Sequence, residues 1–164
     1  MSGAAYAYIG LGSNLHEPER QVGRAIEALR TIKEATLSAV SSLYRTAPIG
    51  PQDQPDFINA VCQMTALAGA YELFSGLRNI EDAFGRTRET DPNGPRMLDL
   101  DLLLYGELQL ALADLQIPHP RMHLRRFVLE PLLELDPDVA IPGQGAAREL
   151  LRHCLDQRVA RIQH

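Results

Sequence analysis

Residues 94–105 read GPRMLDLDLLLY, an apolar run that carries two carboxylates, Asp99 and Asp101. A buried charge costs several kcal/mol unless something compensates it, so the placement of this pair decides how the segment folds. In a helix, residues two apart point roughly 200° apart around the axis, and this segment would be apolar on every side. In a strand they share a face. The spacing therefore predicts a strand whose Leu98, Leu100, Leu102 and Leu104 line the core. Met97, Asp99, Asp101, Leu103 and Tyr105 line the other face, with the two carboxylates about 6.5–7 Å apart at their Cα atoms.

Working outward, Ala5–Leu11 has the pattern of a buried strand, and the Gly-Ser-Asn at 12–14 is expected to turn the chain. Val22, Ala25, Ile26, Leu29 and Ile32 recur at helical spacing behind Pro18 and Glu19. Thr36–Arg45 has the composition of one strand, broken at Ala47–Pro48. Phe57–Leu67 is another, with Ile58, Ala60, Cys62, Met64 and Ala66 on one apolar side. Leu73, Phe74, Leu77, Ile80, Ala83 and Phe84 give a second helix, stopped by Gly85. Helical segments near Leu124–Leu135 and Ala146–Leu155 follow. Strand, helix, strand, strand, helix, strand is the ferredoxin-like βαββαβ plan. The fold class is thus α/β, an α+β sandwich with C-terminal helical and strand additions, in one domain over residues 1–164.

Composition narrows the function. A hydrophobic fraction of 45% over 164 residues supports a real core without disulfides or metals, and Cys62 and Cys154 are too far apart to suggest a metal site. Cys62 sits among apolar neighbours as a small core residue. There is no apolar run of membrane-spanning length and no signal-peptide pattern, so a cytoplasmic location without membrane association is expected. A net charge of −5 with 5% aromatics argues against nucleic acid as a partner. Lys33 is the only lysine, so no P-loop of the lysine type exists and arginine forks must hold any phosphate.

On spacing alone, three readings of the acidic pair stay open: a site for a hard cation such as Mg²⁺, a charged sheet edge, or two carboxylates sharing a proton. Arg86, Arg88 and Arg96 flank the pair, and Arg121, Arg125 and Arg126 follow. Carboxylates beside arginines suit transfer of a phosphate group, where positioned cations can be worth about 10³–10⁵ in rate. The polar connections Ala47–Asp56 and Arg86–Pro95 are long for a compact domain and fit lids over such a site.

Four blocks, YIGLGSNL (8–15), SSLYRTAPIGPQDQPDFINAV (41–61), IEDAFGRTRETDPNGPRMLDLDLLLYG (80–106) and IPHPRMHLRRFVLEPLLEL (117–135), together resemble the 6-hydroxymethyl-7,8-dihydropterin pyrophosphokinase family. The resemblance spans nearly the whole chain. It implies a ferredoxin-like sandwich that transfers pyrophosphate from ATP to the reduced pterin in folate biosynthesis. It further implies that Asp99 and Asp101 hold two Mg²⁺ ions and that Arg86 and Arg96 act on the phosphates as a catalytic loop closes. By the same resemblance, Thr46, Pro48, Ile49, Phe57, Asn59 and Phe127 form the pterin site. Glu81, Arg88, Arg96, His119 and Arg125 are placed near the nucleotide.

Those residue types suit the task. A flat heterocycle needs aromatic rings for its faces, and its edge needs fixed amides, because an unpaired buried polar group costs about 1–3 kcal/mol. Asn59 can both donate and accept. The pattern departs from the family at Glu89–Asn93, where relatives are more basic, and at Arg78, Asp114, Gln116 and Pro120. No residue stands out as a general base. The partners expected are ATP and the pterin, with the protein a monomer. The alternative is a non-catalytic nucleotide- or pterin-sensing domain on the same plan.

Overall fold

The acidic segment is a strand, and it lies at one edge of an antiparallel sheet beside the central strand of the fold. The computed structural model describes residues 3–49, 53–85 and 97–162. In chain order the elements are β1 (Ala5–Ser13), α1 (Pro18–Leu29), β2 (Ala35–Val40), β3 (Tyr44–Thr46), β4 (Phe57–Ala66), α2 (Ala70–Ala83) and β5 (Asp99–Tyr105). Then come β6 (Leu110–Ala111), β7 (Gln116–Ile117), a 3₁₀ turn (Met122–Leu124) and α3 (Arg126–Leu135). The small ladder of β8 (Ala140–Ile141) and β9 (Gly145–Ala146), α4 (Ala147–Leu151) and β10 (Val159–Arg161) close the chain.

The sheet runs β10-β3-β4-β1-β5, with β2 also paired to β4. With β2 and β3 counted as one interrupted strand, the order of the four principal strands is that of a ferredoxin-like sheet, and every pairing is antiparallel. One face buries Ala7, Ile9, Leu11, Ile58, Ala60, Cys62, Met64 and Leu98–Leu100–Leu102 alternately against Val22, Ala25 and Leu29 of α1 and Leu73 and Leu77 of α2. The other face carries Tyr8, Val61, Leu103 and Leu104 against Val128, Leu129 and Leu132 of α3. Helix α2 ends as expected, since Gly85 takes φ +83, where a side chain is strained.

Three expectations are corrected. Thr36–Arg45 is not one strand: Val40 pairs with Cys62 and Tyr44 with Asn59, four steps on one side against three on the other. Ser41 sits at the break, bonding Val61 through both its backbone N–H and its Oγ. In β5 the register slips between Tyr8–Leu104 and Ile9–Leu102, leaving Leu103 as the extra residue of a bulge. Leu104 therefore joins Leu103 on the α3 side instead of following Leu102, and Tyr105 crosses to the α1/α2 side. Third, the Gly-Ser-Asn at 12–14 does not turn the chain directly after Leu11, because β1 continues through Gly12 to Ser13.

Candidate active site

The two aspartates emerge on the α3 side of β5, upstream of the bulge, so alternation keeps both on one face. Leu98 and Leu100, 1% and 4% exposed, hold the opposite side in the core. Each aspartate pairs across to a glycine of β1: Asp99 with Gly12 and Asp101 with Gly10. Those glycines pair in turn with Asn59 and Val61 of β4. Two side-chain-free positions on a central strand thus leave a trough between β4 and β5.

That trough is the floor of a cleft partly open to solvent, about 710 Å³ with the open space at its mouth included. Eight of the expected residues line it together: Thr46, Ile49, Phe57, Asn59, Asp99, Asp101, Arg125 and Phe127. They come from four separate parts of the fold, which agrees with a binding cleft and not with a local accident of sequence. Ala47, Val61 and Val128 add apolar wall. At the β4 end, Asn59 is 7% exposed and donates from Nδ2 to Thr46 Oγ1 at 2.6 Å. Its oxygen is left toward Gly12 and the cleft.

Arg125 joins the two ends. Its guanidinium lies 5.5 Å from the ring centroid of Phe127, a cation–π distance. Burial draws its pKa below the usual range, while Asp101 and, less strongly, Asp99 pull it back up. Arg125 therefore lines the same cleft within electrostatic reach of both aspartates.

Other expected residues lie elsewhere. Pro48 is buried beside the cleft without lining it. Glu81, 1% exposed on α2, accepts the Leu100 N–H at 2.8 Å. It thus grips the backbone between the two aspartates from outside the cleft. His119 is half-buried after β7, its backbone N–H bonded to Leu103 O at 2.9 Å. Burial first, then the charges of Arg125 and Arg121, push its imidazole pKa down to about 4. Arg86, Arg88 and Arg96 lie outside the described residues.

Sequence reasoning missed Gly10, Gly12, Asn14 and Gln54. Asn14, 2% exposed, donates from Nδ2 to Gln54 Oε1 and to Pro55 O, both at 2.9 Å. This ties the end of β1 to the connection before Phe57. The glycines carry a signal, two residues apart in a strand-like run, but Gly12 reads equally well as the start of a turn.

An aromatic end with a fixed amide, continuous with a two-carboxylate end within reach of an arginine, on a ferredoxin-like sandwich, is an arrangement that suits an enzyme of the group-transfer class. A family model described as 7,8-dihydro-6-hydroxymethylpterin-pyrophosphokinase matches residues 8–137. The chain belongs to that family. A 2-amino-4-hydroxy-6-hydroxymethyldihydropteridine pyrophosphokinase of Pseudomonas aeruginosa is 43% identical over 155 residues, 94% of this chain and 95% of that one. Its namesake in Haemophilus influenzae is 39% identical, covering 95% of this chain and 97% of its own. Among solved structures, an HPPK-DHPS in complex with substrates superposes with a TM-score of 0.75 over 94% of this chain at 11% identity, a likeness of fold. This chain spans 44% of that one.

Proposed function

We infer that the protein transfers pyrophosphate from ATP to the hydroxymethyl group of 6-hydroxymethyl-7,8-dihydropterin, releasing AMP, as a step of folate biosynthesis. The observation that carries this reading is family membership over nearly the whole chain, with relatives near 40% identity. The cleft agrees with it, because one continuous space offers a ring site and an acidic site.

In this reading Phe57 and Phe127 take the two faces of the pterin, while Asn59, Thr46 and the backbone near Pro48 and Ile49 meet its edge. The hydroxymethyl oxygen is thereby aimed at the β-phosphorus of ATP, with AMP as leaving group. Proximity and orientation carry much of the rate, which suits a site without an evident general base. Asp99 and Asp101 fit Mg²⁺. Both are hard oxygen donors on one face, and among the described residues no third acidic, His or Cys ligand joins them. Magnesium characteristically takes one or two carboxylates and completes its shell with phosphate and water. Two such ions with ATP would neutralise the phosphates and orient the chain. Arg125 in the cleft, and His119 just outside it, would serve the phosphates. Arg86, Arg88 and Arg96 belong to the connection that would close over the nucleotide.

The protein would work as a monomeric single domain over residues 1–164, in the cytoplasm. No helix among the described residues is long and apolar enough to cross a membrane. The test is product identity. With ATP, Mg²⁺ and the reduced pterin, AMP and pterin diphosphate should form in equal amounts, and formation of ADP in their place overturns the reading.

A further inference from the structure

The cleft owes its shape to what β1 lacks. Gly12 stands between the two ends of the site, paired with Asn59 on one side and Asp99 on the other. A Cβ built on Gly12 would lie 2.6 Å from Asn59 Oδ1, 3.7 Å from its Cγ and 3.8 Å from Phe57 Cδ1. The first distance is far inside van der Waals contact, and neither aspartate is among the three nearest atoms. Gly10 differs. A Cβ there would meet the Leu103 side chain at 3.4 Å, which is tolerable.

Asn59 has little freedom to yield. It is 7% exposed and its Nδ2 is engaged with Thr46 Oγ1 at 2.6 Å. Rotation that takes Oδ1 away from a methyl at position 12 either gives up that bond or turns a different edge of the amide to the cleft. We propose that Gly12 is a specificity-determining position for the pterin. By carrying no side chain, it fixes the orientation in which Asn59 presents its amide to the ring edge. This rests on the pterin reading above. The collision is with the tip of one side chain and not with backbone, so a substitution costs recognition more than it costs the fold.

The test compares wild type, Gly12→Ala, Asn59→Ala and the double variant. Calorimetry would follow the pterin in the presence of a non-hydrolysable MgATP analogue, and the analogue alone. Gly12→Ala should weaken pterin binding about tenfold or more, the consequence of misplacing a buried hydrogen-bonding group. Analogue affinity should move less than about twofold. Adding Gly12→Ala to Asn59→Ala should cause little further loss, which a merely structural role would not produce. Unchanged pterin affinity in Gly12→Ala overturns the proposal, as does an equal loss in the Asn59→Ala background. Should Gly12→Ala fail to fold, the double variant must fold, and its failure too means the collision is not with Asn59. A wild type that binds no pterin contradicts the function reading itself, before any variant is made.

Discussion

His119 shows how a single side chain is tuned by its place. Its Nδ1 accepts the Arg121 N–H at 3.2 Å, so in the neutral ring the hydrogen sits on Nε2, where it can be donated to an anion. Burial and two arginines hold its pKa near 4, below the usual 6.5, so it stays neutral at pH 7. The sign of the stability effect follows. Between pH 6.5 and about 4 the unfolded chain binds a proton that the folded one refuses, so the stabilisation complete above 6.5 is lost as pH falls through that window. An NMR titration should show no inflection of the His119 ring protons from pH 8 to 5; an inflection near 6.5 contradicts this. Cys62 gives a second residue-level prediction. Burial pushes its thiol pKa up to about 12, so alkylating reagents at pH 8 should modify it only after denaturant is added.

At the scale of elements, the wall of the cleft depends on how α3 is fastened to the sheet. Glu134 accepts from Ser42 N–H at 2.9 Å, Ser42 Oγ at 3.0 Å and Tyr44 Oη at 2.7 Å, and Arg161 lies 3.6 Å away. These bonds hold the carboxyl below its ordinary range despite partial burial. Glu134→Ala leaves the buried Tyr44 hydroxyl without its acceptor and should lower stability by roughly 1–3 kcal/mol in urea melts. No change in the midpoint would show that α3 is fixed by Val128, Leu129 and Leu132 alone. The strand carrying the aspartates was legible because a period-two pattern has one consequence, a shared face. The bulge at Leu103 was not legible: a slip in backbone register leaves no mark on a run of leucines, and either parity buries them. The break at Ser41 was hidden for a similar reason, because Ser, Val, Leu and Tyr all suit a strand. Gly12 was misread since glycine more often marks a turn than an open floor. The bonds from Asn14 to Gln54 and Pro55 join residues about forty apart, which no local pattern encodes.

At the scale of the molecule, one sheet separates two cores and supplies both with alternate residues of β1, β4 and β5. Neither core can be lost while the other keeps its wall. Urea unfolding followed by far-UV and near-UV circular dichroism should therefore give coincident transitions; separate midpoints would show two folding units. The same arrangement explains the site. The α1/α2 side anchors the leucines, and the α3 side is left to hold Asp99, Asp101, Asn59 and the aromatic walls. On the reading proposed above, the role of the two carboxylates beside the glycine floor is the transfer of pyrophosphate. It is tested most directly by AMP formation from ATP, Mg²⁺ and 6-hydroxymethyl-7,8-dihydropterin in Asp101→Asn, with the melting temperature measured alongside. AMP formation should fall at least about a thousandfold with the fold intact, and near-normal AMP release from a folded variant would show that the pair has no such role.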